Sequence, residues 1–147
     1  MFKNVAPSLA IEAISAPIRN TNEIENVIKL AAAEPHTALI VAGDTMLSDP
    51  PVRRAIIDLA AMYRLPALYG ELTFAQDGGL IAYGIDRTDP FKRAASYVDR
   101  ILNGAKPSDL PVQQPTKFQF VINLKTAKAL GLDVPLTLQM TADETIQ

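Results

Sequence analysis

Apolar runs alternate with amphipathic stretches along this chain, and the alternation predicts its elements. Beyond Glu23, apolar residues recur at Ile24, Val27, Ile28, Ala31 and Ala32, a 0, 3, 4, 7 and 8 spacing that draws one stripe along a helix. Asn20 stands where a cap belongs, Glu23 lies three positions on as in a capping box, and Pro35 ends the helix. Residues 37–42 (Thr-Ala-Leu-Ile-Val-Ala) form a continuous apolar run closed by Gly43-Asp44-Thr45, the pattern of a parallel-sheet strand buried on both faces. A second helix follows Ser48 or Asp49 as cap, with Pro50 and Pro51 in its first turn. Its apolar face is Val52, Ile56, Leu59, Ala60 and Tyr63. Residues 66–69 and 79–83 read as the next strands, with 70–78 a loop holding one turn, and residues 9–17 as a strand ahead of the first helix. A third helix opens at Thr88-Asp89-Pro90 and is expected to bury Phe91, Ala94, Ala95, Val98, Ile101 and Leu102 before Gly104.

The texture changes after Gly104. Residues 106–115 hold three prolines and no helical period, so they read as an extended connector. Residues 118–124 (Phe-Gln-Phe-Val-Ile-Asn-Leu) form another strand, 125–130 a short helix stopped by Gly131, and 134–147 a weakly patterned amphipathic tail. A strand delivered through such a crossing is expected to pack away from the first sheet. The whole is α/β: an open, mostly parallel Rossmann-like sheet with flanking helices.

Composition removes several classes of function. With no cysteine and a single histidine, His36, a disulfide framework and a Cys/His zinc site are excluded. Fourteen basic and sixteen acidic side chains give a net charge of −2 with no basic run, which argues against nucleic acid as a partner. No phosphate loop, dinucleotide fingerprint, nucleophile elbow or His-Glu-x-x-His string is present, so no cofactor is expected. Residues 1–16 lack the uninterrupted apolar core of an export signal, so no export address is expected in the chain as written.

Ligands of open parallel sheets sit outside the carboxyl ends of the strands. That rule selects Asp44 and Thr45 after the second expected strand, Tyr69 and Glu71 after the third, and Tyr83 and Asp86 after the fourth. Carboxylates, a hydroxyl and rings at one edge suit an amphipathic small molecule with a cationic amine. Against this, Asp44 suits an Asx-turn, and Asp86 or Asp89 suits a cap on the third helix. Asp44 and Glu71 also make a conceivable acid/base pair for a small α/β enzyme, a reading weakened by the missing motifs.

The string 78–86 (Gly-Gly-Leu-Ile-Ala-Tyr-Gly-Ile-Asp), the helix 93–104, Lys106-Pro107, 114–118 and 121–132 (Val-Ile-Asn-Leu-Lys-Thr-Ala-Lys-Ala-Leu-Gly-Leu) resemble the substrate-binding proteins of ABC transporters. The likeness is to the group of tryptophan and tyrosine binders, over their C-terminal half. It implies one lobe of a type I periplasmic-binding-protein fold, a small amino-acid-like ligand held without chemistry, an ABC permease as partner, and an extracytoplasmic location. It further implies that 1–104 form a second lobe with a return crossing near 84–90, that 105–117 connect, and that 118–147 belong to the first lobe of the full-length family. The site is then half built, and an orphaned strand and helix predict a homodimer or a segment swap. The alternative is a dimeric interaction module with no competent site.

Overall fold

The computed structural model describes residues 5–147, so the first four residues of the 1–16 segment read for an export signal lie outside the described residues. Among the described residues, five strands form one sheet: β1 (Leu39–Val41), β2 (Ala67–Tyr69), β3 (Ile81–Ile85), β4 (Phe118–Asn123) and β5 (Glu144–Ile146), in the spatial order β1-β2-β3-β4-β5. The first three run parallel, β4 is antiparallel to β3, and β5 is parallel to β4. Six α-helices of the described residues accompany them: α1 (Glu23–Ala33), α2 (Pro50–Met62), α3 (Leu72–Gln76), α4 (Thr88–Leu102), α5 (Leu124–Leu130) and α6 (Leu136–Gln139). The mostly parallel α/β architecture read from the sequence is the one observed.

The core forms where the predicted stripes meet the sheet. Ile24 and Ile28 of α1 and Ile56, Ile57 and Ala60 of α2 close on Ala67, Tyr69, Phe74, Ala82 and Val121. α2 starts as expected, with Pro50 and Pro51 in its first turn and Asp49 preceding them. At the start of α1, Glu23 reaches back to the Arg19 amide and the Asn20 side-chain amide, each at 2.9 Å.

Four expectations are corrected. Residues 9–17 are no strand: a 3₁₀ turn (Ala6–Leu9) ends with Ala10 in the left-handed region, and the chain then runs unpaired with Ile11 and Ile14 exposed. β1 is not buried on both faces, because it is the edge strand of the described sheet and Ile40 is exposed. α4 has the expected span but buries none of its residues; Phe91 is 77% and Leu102 81% exposed. The strand at 118–123 does not pack away from the sheet. It pairs with β3 from Ile81↔Ile122 to Ile85↔Phe118, a five-pair register that buries Val121 and Ile122 between neighbours on both sides.

The tail supplies β5, which no pattern announced. The Asp143 carboxylate accepts the Phe120 amide at 2.7 Å and sets β5 alongside β4. No helix of the described residues is long and apolar enough to cross a membrane.

Candidate functional site

Because β1, β2 and β3 are parallel, the turns that leave their carboxyl ends lie on one edge of the sheet. Two glycines let those turns approach. A Cβ on Gly70 would stand 2.7 Å from the Gly43 nitrogen, and one on Gly84 would stand 2.6 Å from the Gly70 carbonyl oxygen. Only residues without a side chain permit that contact. The turns therefore carry Asp44, Glu71 and Asp86 to the same edge.

After β1, Asp44 makes an Asx-turn, its Oδ1 accepting the Met46 amide at 2.8 Å. Thr45 sits exposed in the same turn. Ser48 Oγ lies 2.6 Å from the Asp44 carbonyl oxygen and 2.5 Å from Glu71 Oε1, sharing its proton between them. Glu71 Oε2 in turn meets Arg87 Nη2 at 3.0 Å, with the Glu71 side chain 16% and the Arg87 side chain 70% exposed. Contacts thus run without a break from the turn after β1, through Glu71, to the segment after β3.

Asp86 is buried at this edge, 5% exposed. Its Oδ1 accepts the Thr88 hydroxyl at 2.5 Å and the Thr88 amide at 2.9 Å, and its Oδ2 meets Lys117 Nζ at 2.9 Å. The Thr88 hydroxyl first, and then Lys117, hold the Asp86 carboxyl well below the usual carboxylate range. The same contact raises Lys117 above its ordinary value. Asp86 thus accepts the first amide of α4 from the position before its N-cap, Arg87, with both oxygens engaged. Asp44 is the exposed carboxylate of the edge, with no ion pair among the described residues.

The two candidate rings are placed differently. Tyr83 is half exposed on the sheet face, stacked on Phe118 at 5.6 Å between centroids and edge-on to Phe120 at 6.5 Å. Tyr69 is set apart from the edge: it is buried in the core, stacked on Phe74 at 4.5 Å and pressed against Gly79. Burial pushes its phenol above the ordinary value. The structure therefore brings together Asp44, Thr45, Glu71 and Asp86, adds Tyr83 on the adjoining face, and removes Tyr69.

Sequence reasoning missed Arg87, Thr88 and Lys117, and saw in Ser48 only a helix cap. Arg87 and Thr88 were discoverable as the neighbours of Asp86 in a strand-to-helix turn. Lys117 was not, because its pairing depends on the antiparallel return of β4. Among the described residues, no group of three or more His, Cys, Asp or Glu side chains is placed to hold a metal ion.

A mostly parallel α/β sheet with polar groups gathered at its carboxyl edge makes this a Rossmann-like domain. The chain belongs to the ABC transporter substrate binding protein family, whose model matches residues 1–146. Several solved structures share its fold, three of which follow. One is an ABC domain in complex with L-Trp from Streptococcus pneumonia, 23% identical, with TM-score 0.84 over 99% of this chain and 48% of that one. Another is a conserved domain protein from Vibrio cholerae, 22% identical, with TM-score 0.83 over 97% of this chain and 47% of that one. The third is a ligand-free, open substrate binding protein with adhesive properties from Clostridium difficile, 20% identical, with TM-score 0.67 over 99% and 48%. The chain thus spans about half the length of these structures. No curated protein matches the sequence at a significant level.

Proposed function

We propose that this chain forms the ligand-contacting edge of a solute-binding protein for an ABC transporter, taking a small amino-acid-like molecule without chemical change. The observation that carries the reading is the gathering of Asp44, Glu71 and Asp86 at the ends of three adjacent parallel strands, in a member of this family. Asp44 is the group open to an ammonium, Arg87 has N–H donors free for a carboxylate beyond its contact with Glu71, and Tyr83 offers a ring face to an apolar body. The L-Trp bound by the Streptococcus domain makes aromatic amino acids the first ligands to test. An ABC permease is the partner and an extracytoplasmic compartment the place of action that this reading assigns.

Half of a two-sided cleft binds weakly, because affinity in such proteins comes from burying the ligand between two surfaces. A calorimetric titration with each amino acid tests the reading. Millimolar binding of an aromatic amino acid, lost in Asp44→Ala, is the expected result; heat that is identical in the wild type and Asp44→Ala contradicts it.

A second reading is favoured by the exposed apolar stripe of α4: a dimeric interaction module, or a segment swap between copies, with no competent site. Light scattering after size exclusion separates the two. A monomer that binds an amino acid supports the first reading, and a dimer that binds none supports the second.

A further inference from the structure

Two prolines open α2, and the second removes one of the amides that a cap side chain would accept. Asp49, at the cap position, makes no side-chain cap bond among the described residues. The chain entering the helix is held instead from inside it. Arg53 reaches back five positions, its Nη1 donating to the Ser48 carbonyl at 2.8 Å, while its Nε meets Asp77 Oδ2 at 2.6 Å. The Arg53 side chain is 16% exposed, so the guanidinium fork joins two acceptors at a largely covered position.

These contacts close a circuit. Glu71 precedes α3 and Asp77 follows it. Ser48 holds Glu71 Oε1 through its hydroxyl at 2.5 Å, and Asp77 through its carbonyl and Arg53. Both ends of α3 thus converge on one serine, which also gives its amide to the Asp44 carbonyl at 3.0 Å. α3 is itself fixed to the core by the buried Phe74 and Ala75, and by Asn123, which donates to the Ala75 carbonyl at 3.1 Å. Ser48 is therefore anchored to a fixed element, and the Asp44 turn to Ser48.

We propose that Arg53 is a positioning residue of the candidate binding edge: through the Ser48 carbonyl it sets the turn that presents Asp44. Its effect on a ligand rests on the binding reading above, whereas its hold on the turn acts in the free protein. A residue that served stability alone would act on global unfolding and leave the local opening of an exposed turn unchanged.

Amide hydrogen exchange separates the two roles. Arg53→Gln is expected to speed exchange at Met46 and Ser48, the hydrogen-bonded amides of the turn, by about two- to ten-fold. The affinity for L-tryptophan, followed by amide chemical shifts, should fall by a similar factor. Ile28→Val, a change in the buried core on α1, should speed only the amides that exchange through global unfolding and leave the turn and the affinity as in the wild type. Should Arg53→Gln not fold, Arg53→Lys carries the same expectations, because an ammonium keeps the charge and loses the fork. Unchanged exchange at Met46 and Ser48 overturns the proposal, and so does an affinity that falls equally in Ile28→Val. Faster exchange in the turn with undiminished affinity for L-tryptophan also overturns it, since Arg53 then positions nothing that the ligand meets. A wild-type protein that binds no amino acid, alongside faster turn exchange in Arg53→Gln, sinks the binding reading and leaves the hold of Arg53 on the turn standing.

Discussion

Ser48 Oγ lies 2.5 Å from Glu71 Oε1, a contact between residues 23 positions apart that joins the turn after β1 to the turn after β2. Glu71 Oε2 meets Arg87 after β3, so one carboxylate bridges three strand ends. Ser48→Ala leaves Glu71 Oε1 without that donor at a half-buried position. The expected cost is about 1 kcal/mol, read from urea denaturation, together with weaker ligand binding at the edge. A variant with unchanged stability and unchanged binding shows that the bridge does not order the edge.

The Asp86–Thr88–Lys117 cluster predicts an acid-sensitive component of stability. Asp86 has a lowered carboxyl pKa in the folded protein, so its contribution is complete at neutral pH and declines as pH falls below the ordinary carboxylate value of about 4. Lys117 is shifted upward, so its share persists below its ordinary value of about 10.4 and is lost only above it. Chemical denaturation at pH 7 and pH 3 should therefore show a smaller pH-dependent loss in Asp86→Asn than in the wild type. Equal losses in the two proteins contradict the assignment.

Gly84 tests the close approach that assembles the edge. A methyl group there meets the Gly70 carbonyl oxygen at 2.6 Å, backbone against backbone, so one of the two strand ends must move. Gly84→Ala is expected to cost about 1–3 kcal/mol, the range for overpacking, and to displace the turn that carries Asp86 and Arg87. Gly131→Ala provides the contrast: nothing lies within 4 Å of a Cβ there, and its cost comes only from a φ of 75°.

Asn123 is a buried polar side chain with its bonds satisfied. It donates to the Ala75 carbonyl at 3.1 Å and accepts the Thr126 amide at 2.9 Å, while Thr126 donates to the Gly78 carbonyl at 2.8 Å. The Asn123-Leu124-Lys125-Thr126 string therefore ties the β4–α5 junction to the end of α3. Asn123→Ala removes both side-chain bonds at once and is expected to cost about 1–3 kcal/mol by thermal or urea unfolding.

The exposed stripe of α4 gives the opposite expectation. Phe91→Ser changes the stability of the monomer by less than about 0.5 kcal/mol, as for other surface positions. Ile56→Ala, in the core beneath the sheet, costs about 2–5 kcal/mol. A large loss of stability in Phe91→Ser reveals a covered stripe and favours the dimeric reading.

Local chemistry made much of this molecule legible. The stripes of α1 and α2 at helical spacing, the prolines that start α2 and the glycine that stops α5 all report interactions within a few residues, and each element stands where the pattern put it. Pairing across the chain was less accessible. β4 looked detached because a proline-rich connector precedes it, yet the ladder to β3 depends on Val121 and Ile122 finding β3, which spacing does not encode. The stripe of α4 reads as a buried face because amphipathicity specifies that a face is apolar and leaves open what covers it. At the candidate site, the strand-end rule selected residues that the parallel strands carry to one edge. It could not separate Tyr69, which turns into the core, from Glu71, which turns out to meet Ser48 and Arg87, because that choice belongs to the register of the pleat.

The most direct test of the carboxyl edge as a ligand site is a titration of the isotopically labelled protein with L-tryptophan and the other amino acids, followed by amide chemical shifts, which detect millimolar affinities. The expected result is a saturable shift confined to residues 43–48, 70–72 and 83–88, abolished in Asp44→Ala. No saturable shift with any amino acid, or saturable shifts elsewhere with the edge unmoved, contradicts the site.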